Sequence, residues 1–304
     1  MFLRGPSIFL LAACLYFPAH SQPAARGNEA PSRVLDKLRA GGPLVIAFRE
    51  SSIPFSYMAS GKEPVGYAID LCLQLADVLR KELKLPNMQV SYLPVSAAQR
   101  IPSIVEGRAD LQCSSTINNA ERREKVSFTI PHFITGIRYL VKATSNIDSL
   151  EDLKGKRVVS TVGATGLQIL EQKNRELLHG MTILPAPTHT AAVEMVESGK
   201  ADAFAMDDIQ LYSLAANRPD PKALKVVGKF LTTDALAIMF AKDDLPLKRL
   251  VDREMRRLIM SRDIYPIYDK WFMQPIPPKG QSLQLPPSYL LKDFWKYPSD
   301  FVPG

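Results

Sequence analysis

Histidine, cysteine and tryptophan are scarce in this chain, at four, three and two of 304 residues. His20, His132, His179 and His189 are distant in sequence, and no His-x-x-x-His, Cys-x-x-Cys or acidic loop has the spacing of a metal site. A Gly-x-Ser-x-Gly elbow is missing, which removes one common route to a serine nucleophile. Gly163-Ala-Thr-Gly166 lacks both the Gly-Lys-[Ser/Thr] of a phosphate loop and the longer dinucleotide pattern. No cofactor is expected. Lys and Arg exceed Asp and Glu by 38 to 31, a net charge of +7, yet they are interleaved along the chain. No basic run threaded with aromatics offers a nucleic-acid groove. The apolar run from Ile8 to Phe17 is too short to span a bilayer, and no other segment comes close.

What is present begins with an export signature. Met-Phe-Leu-Arg, the short apolar run, and Ala19-His20-Ser21 before Gln22 read as a secretory signal over residues 1–21, giving an exported, soluble mature protein. Leu11-Ala12-Ala13-Cys14 is also compatible with a lipoprotein box, but would leave an unusually short apolar region; cleavage after Ser21 is the favoured expectation. Cys72 and Cys113 then remain. They read either as a disulfide, the reading favoured for an exported protein, or as two separate buried thiols.

Two stretches repeat one pattern. Val105-Glu-Gly-Arg-Ala-Asp110 runs into Leu-Gln-Cys-Ser-Ser-Thr116, and Val196-Glu-Ser-Gly-Lys-Ala-Asp202 runs into Ala-Phe-Ala-Met-Asp-Asp208. Each reads as a helix end, a glycine cap, a tight turn and a short buried strand ending in polar residues. Ligands of α/β folds gather at carboxyl ends of strands, so Ser114, Ser115 and Thr116 in one unit and Asp207 and Asp208 in the other suggest two lobes facing across a cleft. Periodicity predicts strands at 44–48, 88–93, 157–161, 182–184 and 203–206, and one apolar strand over 235–241. It predicts helices at 34–38, 67–83, from about 101, through 177, at 190–197, 245–260 and 265–272. Ser149 is expected to cap a short helix ending at Gly155. Crossings between lobes are expected near 138–143 and 235–241. Lobe 1 is then residues 31–138 plus 241–275, lobe 2 is 139–240 with the hinge strands, and 276–304 is an irregular Pro-rich tail.

Arginine is the chemistry that the element ends offer. Arg49 follows a strand, Arg100 precedes a helix, and Arg122 lies just past the Ser-Ser-Thr end. Guanidinium forks pair with carboxylates bidentately, and strongly so in a dry cleft. An opposing Asp207 would hold an ammonium, with Ser115 accepting from it, and the Gly163-to-Gly166 turn reads either as an ordinary helix cap or as a helix start offering backbone N–H groups and Thr165 to a small carboxylate. One ammonium site plus more than one carboxylate site describes an acidic amino acid.

At these residues the chain resembles the extracytoplasmic solute-binding proteins of polar amino-acid ABC importers (family 3), and within them the glutamate/aspartate-binding proteins. The landmarks are Arg49-Glu-Ser-Ser-Ile-Pro-Phe-Ser56, Gly66-Tyr-Ala-Ile-Asp-Leu-Cys72, Gln99-Arg-Ile-Pro102, Cys113-Ser-Ser-Thr-Ile-Asn-Asn-Ala-Glu-Arg122, Glu197-Ser-Gly-Lys-Ala-Asp-Ala-Phe-Ala-Met-Asp-Asp208 and Lys270-Trp-Phe-Met-Gln-Pro-Ile-Pro-Pro278. The resemblance implies an α/β, two-lobe periplasmic-binding-protein fold (type II) joined by two hinge strands. It implies a monomer that carries one amino acid to the membrane subunits of an ABC permease, without bond chemistry. It implies that Arg122 clamps the α-carboxylate, with Ser115 and the Ile117 backbone nearby, and that Asp207 holds the α-ammonium. Arg49, Arg100 and His189 would surround the side-chain carboxylate, and Thr161 would line the second lobe's wall. The chain departs from that pattern at Ala97, Ile117 and Ala164, where relatives carry Ser or Thr; Ile117 and Ala164 are expected to act through backbone N–H groups. The rival expectations are a periplasmic dehydratase of the same fold acting on a cyclic carboxylate, and a protein presenting ligand to a receptor.

Overall fold

The computed structural model describes residues 1–2 and 31–301. The rest of the expected signal segment and Cys14 lie outside the described residues. Among the described residues, no helix is long and apolar enough to cross a membrane.

Two five-stranded sheets share one plan. In the first, Val90–Pro94, Leu44–Phe48 and Leu111–Cys113 run parallel, followed by Met239–Ala241, antiparallel to Leu111–Cys113, and by Val126–Phe128, which is antiparallel to Met239–Ala241. In the second, Thr182–Ala186, Arg157–Thr161 and Ala203–Asp207 run parallel, followed by antiparallel Ile137–Lys142 and by Leu224–Val227, which is antiparallel to Ile137–Lys142. The parallel strands are apolar because helices cover both faces. The helix Tyr67–Leu83 lays Ile69, Leu71, Cys72, Leu75 and Leu79 into the first core, which also takes Ile46, Leu111, Phe240, Met255 and Phe272. The second lobe builds its main core from Leu140, Val159, Val193, Val196, Phe204 and Leu211. Cys72, on that helix, and Cys113, at its strand's end, form a disulfide.

The first expected crossing is displaced. Ile137–Lys142 already belongs to the second sheet, and the passage between lobes is made by Phe133–Thr135, paired antiparallel with Asp234–Leu236 on the return. The stretch 235–241 is two strands, Asp234–Leu236 and Met239–Ala241, rather than one. Gly136 explains the place: a Cβ there would lie 2.3 Å from the Thr232 carbonyl, so only glycine lets the two crossing segments approach so closely.

Two further expectations change. Ser149 does not cap a helix; its hydroxyl donates to Asp152 Oδ2 at 2.9 Å, and the acid gathers the Asp148 and Ser149 N–H groups ahead of a short 3-10 turn, Glu151–Leu153. The tail is not wholly irregular. Ser288 Oγ accepts from the Leu291 N–H and starts a helix, Tyr289–Lys296, that buries Leu291 and Trp295 in the first core.

Candidate ligand-binding site

The carboxyl ends of the parallel strands of both sheets meet at one interface, and the residues singled out there are buried except for Asp208, which is half-buried. Arg49, Arg100 and Arg122 expose 3%, 4% and 6% of their surface, Asp207 2% and His189 1%. Arg49 continues from Leu44–Phe48, and its N–H donates to Ser56 Oγ at 2.9 Å. Arg100 opens the helix Arg100–Val105. Its Nη1 donates to Thr116 Oγ1 at 3.2 Å and its Nη2 to the Gly163 carbonyl of the other lobe at 3.1 Å. Arg122 sits on Ala120–Arg123, where the Asn119 cap accepts from its N–H, and the guanidinium donates to the Ile117 carbonyl at 2.9 Å.

Crowding of like charge leaves a signature. Burial lowers the Arg100 pKa well below the ordinary arginine value, Arg122 and Arg49 add to the shift, and Asp207 opposes it. Burial lowers Arg49 to about 10, against the pull of Glu50. Asp207, at the end of Ala203–Asp207, is raised to about 7; burial is the main cause, Asp234 and Asp208 add to it, and Arg100 and Arg122 oppose it. His189 begins the helix His189–Glu197, and its Nδ1 lies 2.7 Å from Thr161 Oγ1. Burial first, then Arg49 and Arg100, hold its pKa well below the usual histidine range, so the ring is neutral.

Several polar groups here are short of protein partners. Arg100 Nε, Thr165 Oγ1, His189 Nε2 and Gln210 Oε1 are buried with no hydrogen-bond partner among the described residues. Such atoms are normally satisfied by water or a bound molecule. The lobes are in contact: a Cβ on Gly163 would lie 2.7 Å from Ala98 N, and Gln168 Nε2 donates to Glu121 at 3.1 Å.

The backbone sites behave differently from each other. The bridge beside Ile117 uses the Asn118 N–H to the Ala235 carbonyl and the Ala237 N–H to the Thr116 carbonyl, which leaves Ile117's own N–H out of the pairing. The Ala164 N–H, in contrast, is spent on the Thr161 carbonyl at 3.0 Å. Donors at the start of the helix Thr165–Leu177 therefore begin with Thr165, not Ala164. The hydroxyl of Ser115 also accepts a bond from Gln210 Nε2.

Sequence reasoning missed Gln210, Ser52 and Asp234. Gln210 stands three residues after Asp207, a spacing that places both near one face of the helix start. Asp234 follows from no local pattern; it faces Arg122 only because the return crossing passes there.

The model of the bacterial extracellular solute-binding proteins, family 3, matches residues 44–274. The L-glutamate/L-aspartate-binding protein of Pseudomonas aeruginosa is 40% identical over 268 residues, 88% of each chain. The glutamate/aspartate import solute-binding protein of Escherichia coli is 35% identical over 300 residues, 99% of each chain. Among solved structures, a mutant of ArgBP from T. maritima superposes with a TM-score of 0.71 at 23% identity, over 79% of this chain and 100% of that one, a likeness of fold. Paired α/β lobes and the matches to sequence and fold agree: the chain belongs to the bacterial extracellular solute-binding proteins, family 3.

Proposed function

We propose that this protein is the extracytoplasmic substrate-binding component of an ABC amino-acid importer and that its cleft takes L-glutamate or L-aspartate. The observation that carries the reading is the charge of the site. Three guanidiniums are buried here; Arg100 and Arg122 act on Asp207, Arg122 acts on Asp234, and Asp207 is already pushed up to about 7. The protein's own groups thus leave an excess of buried positive charge, which is costly unless an anion enters. A molecule with two carboxylates and one ammonium balances it, with Arg122 on the α-carboxylate and Asp207 on the ammonium. Arg49, Arg100 and the neutral His189, acting through its Nε2–H, take the distal carboxylate. Thr161, Thr165, Thr116 and the Ile117 N–H complete the walls.

The work is done by closure. Ligand held by one lobe reaches donors on the other only when the crossings at Phe133–Thr135 and Asp234–Leu236 bring them together, so binding shifts an open–closed equilibrium by its differential affinity. The permease membrane subunits would read the closed form of an exported, periplasmic monomer. Calorimetry of refolded, ligand-free protein tests this with L-glutamate, L-aspartate, L-glutamine and L-arginine. Tight binding confined to the two acids is expected; equal or tighter binding of glutamine or arginine would overturn it.

A further inference from the structure

Gln210 lies on the helix Asp208–Ala216, which packs on the second sheet, yet its side chain reaches the first lobe. It is 1% exposed, and its Nε2 donates to both Ser52 Oγ and Ser115 Oγ. Those two hydroxyls are 2.9 Å apart and bond to each other. Ser52 follows the first sheet's strand Leu44–Phe48, and Ser115 follows its neighbour Leu111–Cys113. The preceding residue, Ile209, is buried in the first lobe's core, so the start of this helix is seated across the interface.

The hydroxyl protons can be ordered two ways, since either serine can donate within the pair. A hydroxyl has one proton and two acceptor sites. The two N–H groups of Gln210 fill one acceptor site on each serine, and the Ser52–Ser115 bond uses one more site and one of the two protons. When Ser52 donates within the pair, both acceptor sites of Ser115 are filled and its proton is free to donate outward. Ser115 then suits a carboxylate and cannot accept from an ammonium, the role expected for it from sequence alone. Gln210 Oε1 stays buried with no partner among the described residues.

We propose that Gln210 is a positioning residue: a latch between the lobes that favours closure directly and presents Ser115 as a donor to the ligand's carboxylate. This rests on the carboxylate-binding reading above. The latch bonds need no ligand, so they populate the closed form in the free protein, and a larger closed fraction raises apparent affinity for every ligand alike. That separates Gln210 from Arg100, whose effect selects for acidic side chains.

The test uses the mature chain with spin labels at Val105→Cys and Leu178→Cys, exposed positions on opposite lobes, and reads the interlobe distance without ligand. Gln210→Leu, close in volume but without donors, should move the ligand-free distribution to longer distances. It should weaken L-glutamate and L-aspartate equally, by about thirtyfold for two lost hydrogen bonds. Ser52→Ala should give a smaller loss of the same kind, and the double variant should fall short of the sum because both changes break one cluster. An unchanged distance distribution, or additive losses, would overturn the latch. If the wild-type protein bound no acidic amino acid while Gln210→Leu still opened the free protein, the acidic-ligand reading and the role of Ser115 would fall and the latch would stand.

Discussion

Replacing Arg100 by methionine keeps the apolar stem and removes the guanidinium. In the structure that group donates to Thr116 at 3.2 Å and to the Gly163 carbonyl at 3.1 Å, and its Nε has no partner among the described residues. A hydrogen bond to a charged group is worth about 1.5–3 kcal/mol net, so one lost contact to a distal carboxylate costs roughly 10- to 150-fold in affinity. The bond to Gly163 joins the lobes and contains no ligand atom; its donor is the same charged group, so its loss falls in the same range but weakens every amino acid alike. The selective part is the difference between the losses for L-glutamate and L-glutamine. Removing one of three mutually repelling buried cations should also leave the melting temperature of ligand-free protein unchanged or raised. Calorimetry with L-glutamate and L-glutamine separates the two parts. Equal losses for both ligands, or a markedly less stable free protein, would refute the assignment of Arg100 to the distal carboxylate.

Asp207 gives a pH dependence. An ammonium needs its anion, and with the free carboxyl near pH 7, L-glutamate affinity should fall by up to roughly tenfold per unit as pH drops below 7. Asp207→Asn should flatten that slope. Because its folded pKa is raised, Asp207's own contribution to the stability of the free protein is present below about pH 4 and is lost as pH rises through about 7. A pH-independent affinity between 5 and 7 would contradict the role. Reducing the Cys72–Cys113 bond opens a 41-residue separation and should lower unfolding stability by about 4 kcal/mol in the chain-entropy model, read as a lower urea midpoint; an unchanged midpoint would mean the bond adds nothing. Trp295→Ala removes a side chain packed against Tyr265 and Tyr268 and should cost about 3–5 kcal/mol of stability, while glutamate affinity stays within about twofold. A loss of binding equal to that of Arg100→Met would show that the tail acts on the cleft.

The sequence made the strand and helix framework legible wherever one face is apolar. Tyr67–Leu83 and Leu245–Met260 stand at their expected bounds because helical spacing and end signals agree. The crossings were harder to place, since Ile137–Lys142 is apolar enough to serve either as a hinge or as a sheet strand. The helix Tyr289–Lys296 was hidden by the prolines before it. The arginines could be singled out because each follows or opens an element, so strand-end geometry alone nominates them. Gln210 could not, because its meaning comes from two serines 158 and 95 residues away. Ala164 was misjudged for a related reason: whether an N–H is already spent in a turn depends on local backbone geometry that side-chain patterns do not encode.

The most direct measurement is a crystal structure of the protein refolded without ligand and then saturated with L-glutamate. The account predicts one molecule between the sheets, its α-carboxylate on Arg122 and Ser115, its ammonium on Asp207 and its distal carboxylate among Arg49, Arg100 and His189. A ligand held with either carboxylate away from those arginines, or a cleft that closes with no glutamate in it, would contradict the account.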